Sequence, residues 1–153
     1  MSELLARDIM TKKVVTIGKD ATVAKLAKLL IRHKISGVPI VDEKKELIGI
    51  VSEADIIIKM STLPFPISFS FAFLDSYESY TKSTKEYMET RVEEIMSRHV
   101  KTAREDMLLS KVVNIMINNN INRIPVVDNN NKLSGIITRA DIIKSMIKEG
   151  QEK

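Results

Sequence analysis

The chain has 153 residues, 44% of them apolar and 29% charged, with a formal net charge of +4. That balance is globular rather than disordered, and the length suits one ordinary domain or two very small ones. The absence of cysteine and the presence of only two histidines, His33 and His99, exclude disulfide scaffolds, thiolate zinc sites and cysteine nucleophiles, and argue against a multi-histidine metal centre.

The start, MSELLARDIM, is charged and lacks the apolar core of a signal peptide. A short helical lead-in there precedes a β-rich run, Val14 to Ile17. Val23, Leu26, Ala27, Leu30 and Ile31 then recur at helical spacing, with Lys25, Lys28 and Arg32 on the other face. Two β-branched runs follow, Val38 to Val41 and Leu47 to Val51, separated by the polar turn Asp42 to Glu46, which predicts a hairpin. Leu47 to Val51 is apolar at nearly every position, so both its faces are expected to be covered. An Ile-rich helix over Glu53 to Met60 closes the series.

The next stretch is unlike the rest. All seven aromatic residues lie between Phe65 and Tyr87. Pro64 and Pro66 are expected to stop the preceding helix. Ile67, Phe69, Phe71 and Phe73 alternate with small or polar residues, and Tyr77, Tyr80, Thr84, Tyr87 and Met88 return to helical spacing. The stretch reads either as a linker packing its aromatics over its neighbours or as an apolar patch for a partner. Its most apolar run, around Phe69 to Leu74, is too short to cross a bilayer, so no membrane partner and a cytoplasmic location are expected.

Beyond it the first pattern repeats. A shift of 86 residues lays Ile9–Met60 on Ile95–Met146 without a gap, with 19 identities in 52 positions. Val100 to Ala103 matches the first β-rich run. Leu109, Val112, Val113 and Met116 match the first helix, closed by Asn118 to Asn120, and Asp128 to Lys132 match the turn. Met10 and Met96 align and are read as packing residues. The expected fold is α/β: repeat 1 over 1–61, an insert over 62–91 and repeat 2 over 92–150, each repeat β-α-β-β-α. Two such units are expected to pack about a pseudo-twofold axis and leave two equivalent grooves.

Two motifs occur twice at that offset. One is Gly-x-x-Ser/Thr-x-x-Asp, as Gly49, Ser52, Asp55 and as Gly135, Thr138, Asp141. A capping box alone explains the spacing. The same geometry also suits a ligand, with helix-start N–H groups and the hydroxyl for a phosphate and the carboxylate for both hydroxyls of a ribose. Glycine on the strand is then expected to permit close approach. The other motif is a strand with an internal proline, Val38-Pro39-Ile40 and Ile124-Pro125-Val126, which predicts an edge or irregular strand and freed backbone groups able to read an adenine edge.

These motifs, doubled in register, resemble the CBS domain, the regulatory module named for cystathionine β-synthase. The resemblance covers about two-thirds of the chain, all but the insert and tails. It implies paired domains that bind AMP, ADP, ATP or S-adenosylmethionine, with Asp55 and Asp141 on the ribose and Ser52 and Thr138 near phosphate. It places Thr16, Ile17, Val38, Pro39 and Ile40, and Thr102, Ala103, Ile124, Pro125 and Val126, around the base. It implies no catalysis and no catalytic cofactor; no paired base and nucleophile stands out either. It also implies a homodimer with long helices at the interface and a separate regulated protein.

The copies differ where charge matters. Arg123 and Arg139 stand where copy one has Gly37 and Glu53. The Asp141 site is therefore expected to prefer phosphorylated nucleotides, and the Asp55 site to be empty or to take a neutral or cationic adenosyl group. Two rivals remain: an interaction scaffold with vestigial clefts, and a nucleic-acid-binding regulator. The scattered, modest positive charge argues against the second.

Overall fold

The computed structural model describes residues 3–62 and 82–151. In chain order the elements are α1 (Ala6–Ile9), α2 (Val23–His33), β1 (Gly37–Val41), β2 (Leu47–Ser52) and α3 (Glu53–Met60). Helical residues 82–88, labelled α4, and a 3-10 turn (Val92–Glu94) follow. The second half contains β3 (Ala103–Arg104), α5 (Leu109–Asn118), β4 (Arg123–Val127), β5 (Leu133–Thr138) and α6 (Arg139–Gln151). β1 and β2 form a two-stranded sheet, and β3, β4 and β5 a three-stranded one in that order. β3 runs parallel to β4, and β4 antiparallel to β5. The alternating run 67–73 of the insert lies outside the described residues.

The compact units are not the two sequence repeats. One unit comprises Met1–Thr16, Val41–Ile48 and His99–Lys153; the other comprises Ile17–Ile40 and Gly49–Arg98. Each therefore takes its lead-in from the opposite repeat. In unit 1 the lead-in is stitched to repeat 2: Ala6 N–H to Met107 O at 2.8 Å, Leu109 N–H to Leu4 O at 2.8 Å, and Thr11 paired with Ile136 at 2.9 and 3.0 Å. In unit 2 the lead-in of repeat 2 does the same to β2, where Ser97 pairs with Ile50 at 2.9 and 3.0 Å.

Amphipathic spacing builds both cores. In unit 1, Ala6, Ala103, Val112, Met116, Ile124, Val126 and Ile137 form one buried cluster. In unit 2, Val23, Leu26, Leu30, Val38, Ile40, Val51, Tyr87 and Val92 are buried. Burying each large aliphatic side chain contributes about 1.5–3 kcal/mol. Thr22 caps α2 by accepting the Lys25 N–H at 3.1 Å. Residues 90–93 run along the start of α2, with Val23 N–H to Thr90 O at 2.9 Å and Val92 N–H to Ala21 O at 2.8 Å.

Two expectations need correction. The strands over Val14 to Ile17 and Val100 to Ala103 shrink to a single bridge, Ile17 with Ile40, and to the two-residue β3. Proline explains the shortening in unit 2: the Pro39 carbonyl accepts the Ile17 N–H at 3.3 Å, so the edge it shares with Ile17 lacks a donor at Pro39. Nor is β2 covered equally on its two faces. Its residues alternate buried and half-buried.

The helix ends and turns also distinguish the repeats. Lys34 and Lys45 in repeat 1 have positive φ, and so do Asn120 and Asn131 at the equivalent places in repeat 2. Asparagine tolerates that region better than lysine. In both hairpins an aspartate ties the turn: Asp42 Oδ1 accepts the Lys44 and Glu46 N–H groups, and Asp128 Oδ1 those of Asn130 at 2.8 Å and Lys132 at 3.0 Å. The Lys132 and Asn130 N–H groups hold the Asp128 carboxyl below its usual range. A depressed folded-state pKa stabilises the fold above the unfolded value of 3.8 and stops doing so as pH falls through the lower folded value. The melting difference between wild type and Asp128→Asn should therefore be constant at neutral pH and shrink in acid once the pH falls below 3.8. A difference that persists fully at the acid end would contradict this.

Candidate functional site

The doubled Ser/Thr-x-x-Asp motif sits in each unit at the junction of the last strand and the following helix. In unit 1 the chain leaves β5 at Thr138 and enters α6 at Arg139. Asp141 turns back one turn into that helix: its Oδ2 accepts the Thr138 N–H at 2.8 Å and the Thr138 hydroxyl at 3.0 Å. The Asp141 N–H donates in return to Thr138 Oγ1 at 3.3 Å. In unit 2, Asp55 Oδ2 accepts the Ser52 N–H at 2.8 Å and the Ser52 hydroxyl at 3.2 Å. The capping geometry is thus present in both motifs. Asp55 and Asp141 are half-buried, as are Ser52 and Thr138.

The helix starts are less open than a bare terminus. The Glu53 N–H donates to Ser36 O at 2.8 Å, and the Arg139 N–H to Asn122 O at 3.2 Å. The first donor of each helix is therefore already satisfied, and a phosphate here has fewer N–H groups to meet than four free ones. Glu53 and Arg139 are both exposed, and Arg123 is half-buried. Arg139 also borders an apolar groove of about 370 Å³ between α5 and α6, lined by Val113, Met116, Ile117, Ile121, Ile142 and Ile143.

The glycines serve a different neighbour from the one expected. A Cβ on Gly135 would stand 2.5 Å from Met10 Sδ, and one on Gly49 would stand 2.7 Å from Met96 Sδ. The space is filled by the methionine of the lead-in, not kept for a ligand, so the packing role read for Met10 and Met96 has a definite partner.

The residues assigned to the base divide by depth. Val38, Ile40, Ala103, Ile124 and Val126 have 0% exposure, and Pro39 and Pro125 are also fully buried. Ile17 is buried, and Thr16 and Thr102 are half-buried at the strand starts. Sequence reasoning missed one group: Thr11 Oγ1 donates to Asp141 Oδ1 at 3.4 Å. The available signal was the repeated Met10-Thr11 and Met96-Ser97 pairs at the same offset as the motifs. His33 and His99 are exposed. Among the described residues no three His, Cys, Asp or Glu side chains gather to hold a metal ion, and no helix is long and apolar enough to cross a membrane.

The family model for the CBS domain matches this chain twice, over residues 6–62 and 92–148. The chain is a CBS-domain protein. It is 34% identical to uncharacterized protein MJ1426 of Methanocaldococcus jannaschii, over 94% of this chain and 92% of that one. It is 30% identical to inosine-5'-monophosphate dehydrogenase of the same organism, but spans only 23% of that longer protein. The crystal structure of the CBS domain pair of protein MJ0100, in complex with 5'-methylthioadenosine and S-adenosyl-L-methionine, superposes with a TM-score of 0.71 at 31% identity. The match covers 99% of this chain and all of that one. The mixed α/β architecture is thus that of CBS pairs, with one Ser/Thr-x-x-Asp carboxylate in each compact unit.

Proposed function

We propose that this CBS pair is a regulatory module that binds an adenosine-containing ligand and passes its state to a separate protein. The observation that carries the reading is the full-length likeness to the MJ0100 pair, whose crystals hold two adenosyl compounds. Within the chain, the support is the doubled half-buried carboxylate, Asp55 and Asp141, each fixed by the residue three before it. Ser52 and Thr138 lie beside those carboxylates; the strand starts at Thr16, Ile17, Thr102 and Ala103, with the proline strands, flank the base. The module acts by binding, not by chemistry.

Charge separates the two sites. Arg139 and Arg123 are the side chains offered to a phosphate at the Asp141 site, where the first helical N–H is already bonded. Glu53 repels phosphate at the Asp55 site, which therefore favours an uncharged or sulfonium adenosyl group. Apolar side chains exposed on the paired helices, among them Ile31, Ile57, Ile117 and Ile143, support self-association as a homodimer.

The test is a thermal-shift panel of AMP, ADP, ATP and S-adenosylmethionine against wild type and Arg139→Ala. A ligand that binds the folded state raises the melting midpoint with concentration. The wild type should respond to at least one of the four, and Arg139→Ala should lose response to the phosphorylated compounds selectively. A flat response to all four would remove the sensor reading.

A further inference from the structure

We infer that Thr11 is a second sugar contact at the Asp141 site and makes that site demand a vicinal diol; this rests on the adenosyl reading above. Asp141 Oδ2 already accepts two donors from Thr138, at 2.8 and 3.0 Å. Among the described residues its other oxygen, Oδ1, has one donor, the Thr11 hydroxyl at 3.4 Å, longer than an ordinary O–H···O bond. A carboxylate in that state has one oxygen to offer a sugar, not two. The first ribose hydroxyl donates to Oδ1, and the adjacent hydroxyl needs a partner of its own.

Thr11 is placed to be that partner. A hydroxyl donates one hydrogen bond and accepts two, so Thr11 Oγ1 can keep its proton toward Oδ1 and accept from the second sugar hydroxyl. Its position is firmly set: the backbone pairs with Ile136 on β5 through two hydrogen bonds, at 2.9 and 3.0 Å, and Met10 beside it fills the space above Gly135. Thr11 itself is exposed. The Asp55 site differs here. Ser97 occupies the equivalent place and makes the same backbone pairing with Ile50, but among the described residues no hydrogen bond links its hydroxyl to Asp55. The demand for a diol belongs to the Asp141 site, and it is supplied by the lead-in of the opposite repeat.

The experiment uses the full chain carrying Asp55→Ala, so that one site reports. Adenosine, 2'-deoxyadenosine and 3'-deoxyadenosine are titrated by calorimetry into that protein, and into versions that add Thr11→Val, Thr11→Ser or Asp141→Ala. With Thr11 present, adenosine should bind about tenfold or more tightly than the deoxy compound that loses the bond to the carboxylate, and about fivefold more tightly than the one that loses the bond to Thr11. Thr11→Val should weaken adenosine about fivefold and bring toward one the ratio for the deoxy compound that lacks the hydroxyl facing Thr11, while the other ratio persists, and Thr11→Ser should restore both. A melt of each variant checks folding; should valine unfold the chain, Thr11→Ala takes its place. Unchanged ratios in the valine or alanine variant overturn the role of Thr11 while leaving the adenosyl reading intact. Absence of adenosine binding overturns the role of Thr11; binding that is indifferent to Asp141→Ala, or absent for AMP as well, overturns both.

Discussion

Tyr87→Ala should lower the free energy of unfolding by about 3–5 kcal/mol, the usual cost of deleting a buried aromatic ring. Tyr87 ties the end of the insert to α3 within unit 2. It lies on α4, is 5% exposed, and donates its phenol proton to the Ile56 carbonyl of α3 at 2.9 Å. Against a net stability of about 5–15 kcal/mol for a whole domain, that loss is large. Tyr87→Phe keeps the ring and removes only the hydrogen bond, so it should cost about 0.5–1.5 kcal/mol. Urea unfolding separates the two variants; equal losses would mean that the hydroxyl, not the ring, holds the segment. Alkali gives an independent check. Burial, and secondarily the charge of Asp55, raise the phenol above its ordinary 10.0. A raised folded-state pKa gives stability that is complete below the unfolded value and fades as pH rises through the folded one. Wild type should begin to lose stability relative to Tyr87→Phe as pH rises above 10.0, and not below it.

Asp141→Ala should weaken adenosine binding at its site at least tenfold, because a bond to a charged carboxylate contributes about 1.5–3 kcal/mol. The same substitution removes the return half of the α6 capping box, at a cost of about 0.5–2 kcal/mol in stability. The two losses must be told apart. Asp141→Asn retains an oxygen able to accept the Thr138 N–H, so it should recover most of the melting temperature while ligand affinity stays low. Titration of each variant below its own melting point gives the affinity directly. If asparagine restores both quantities together, Asp141 acts through the cap alone and does not touch a ligand. Asp55→Ala provides the matched measurement in unit 2, where the helix that carries the same carboxylate geometry begins with Glu53 in place of Arg139.

What could be read from the sequence was local. The helices at Val23–His33 and Glu53–Met60, and the hairpin between them, follow from spacing of 3.6 and 2 residues and from a polar turn. The carboxylate that returns to its own N-cap was legible for the same reason: it lies three residues away. What failed was non-local. Val14 to Ile17 has strand-forming residues, but nothing in them shows that Pro39 would leave its edge one donor short. A glycine on a strand signals close approach without saying by what, and here Met10 and Met96 arrive from far along the chain. Thr11 escaped notice because its partner is 130 residues distant.

The exchange of lead-ins bears on proteolysis. Repeat 1 holds Met10 and Gly49 and repeat 2 holds Met96 and Gly135, yet each methionine covers the glycine of the other copy. Both compact units therefore draw on chain from either side of the insert, so a single cut within 62–91 releases neither unit by itself.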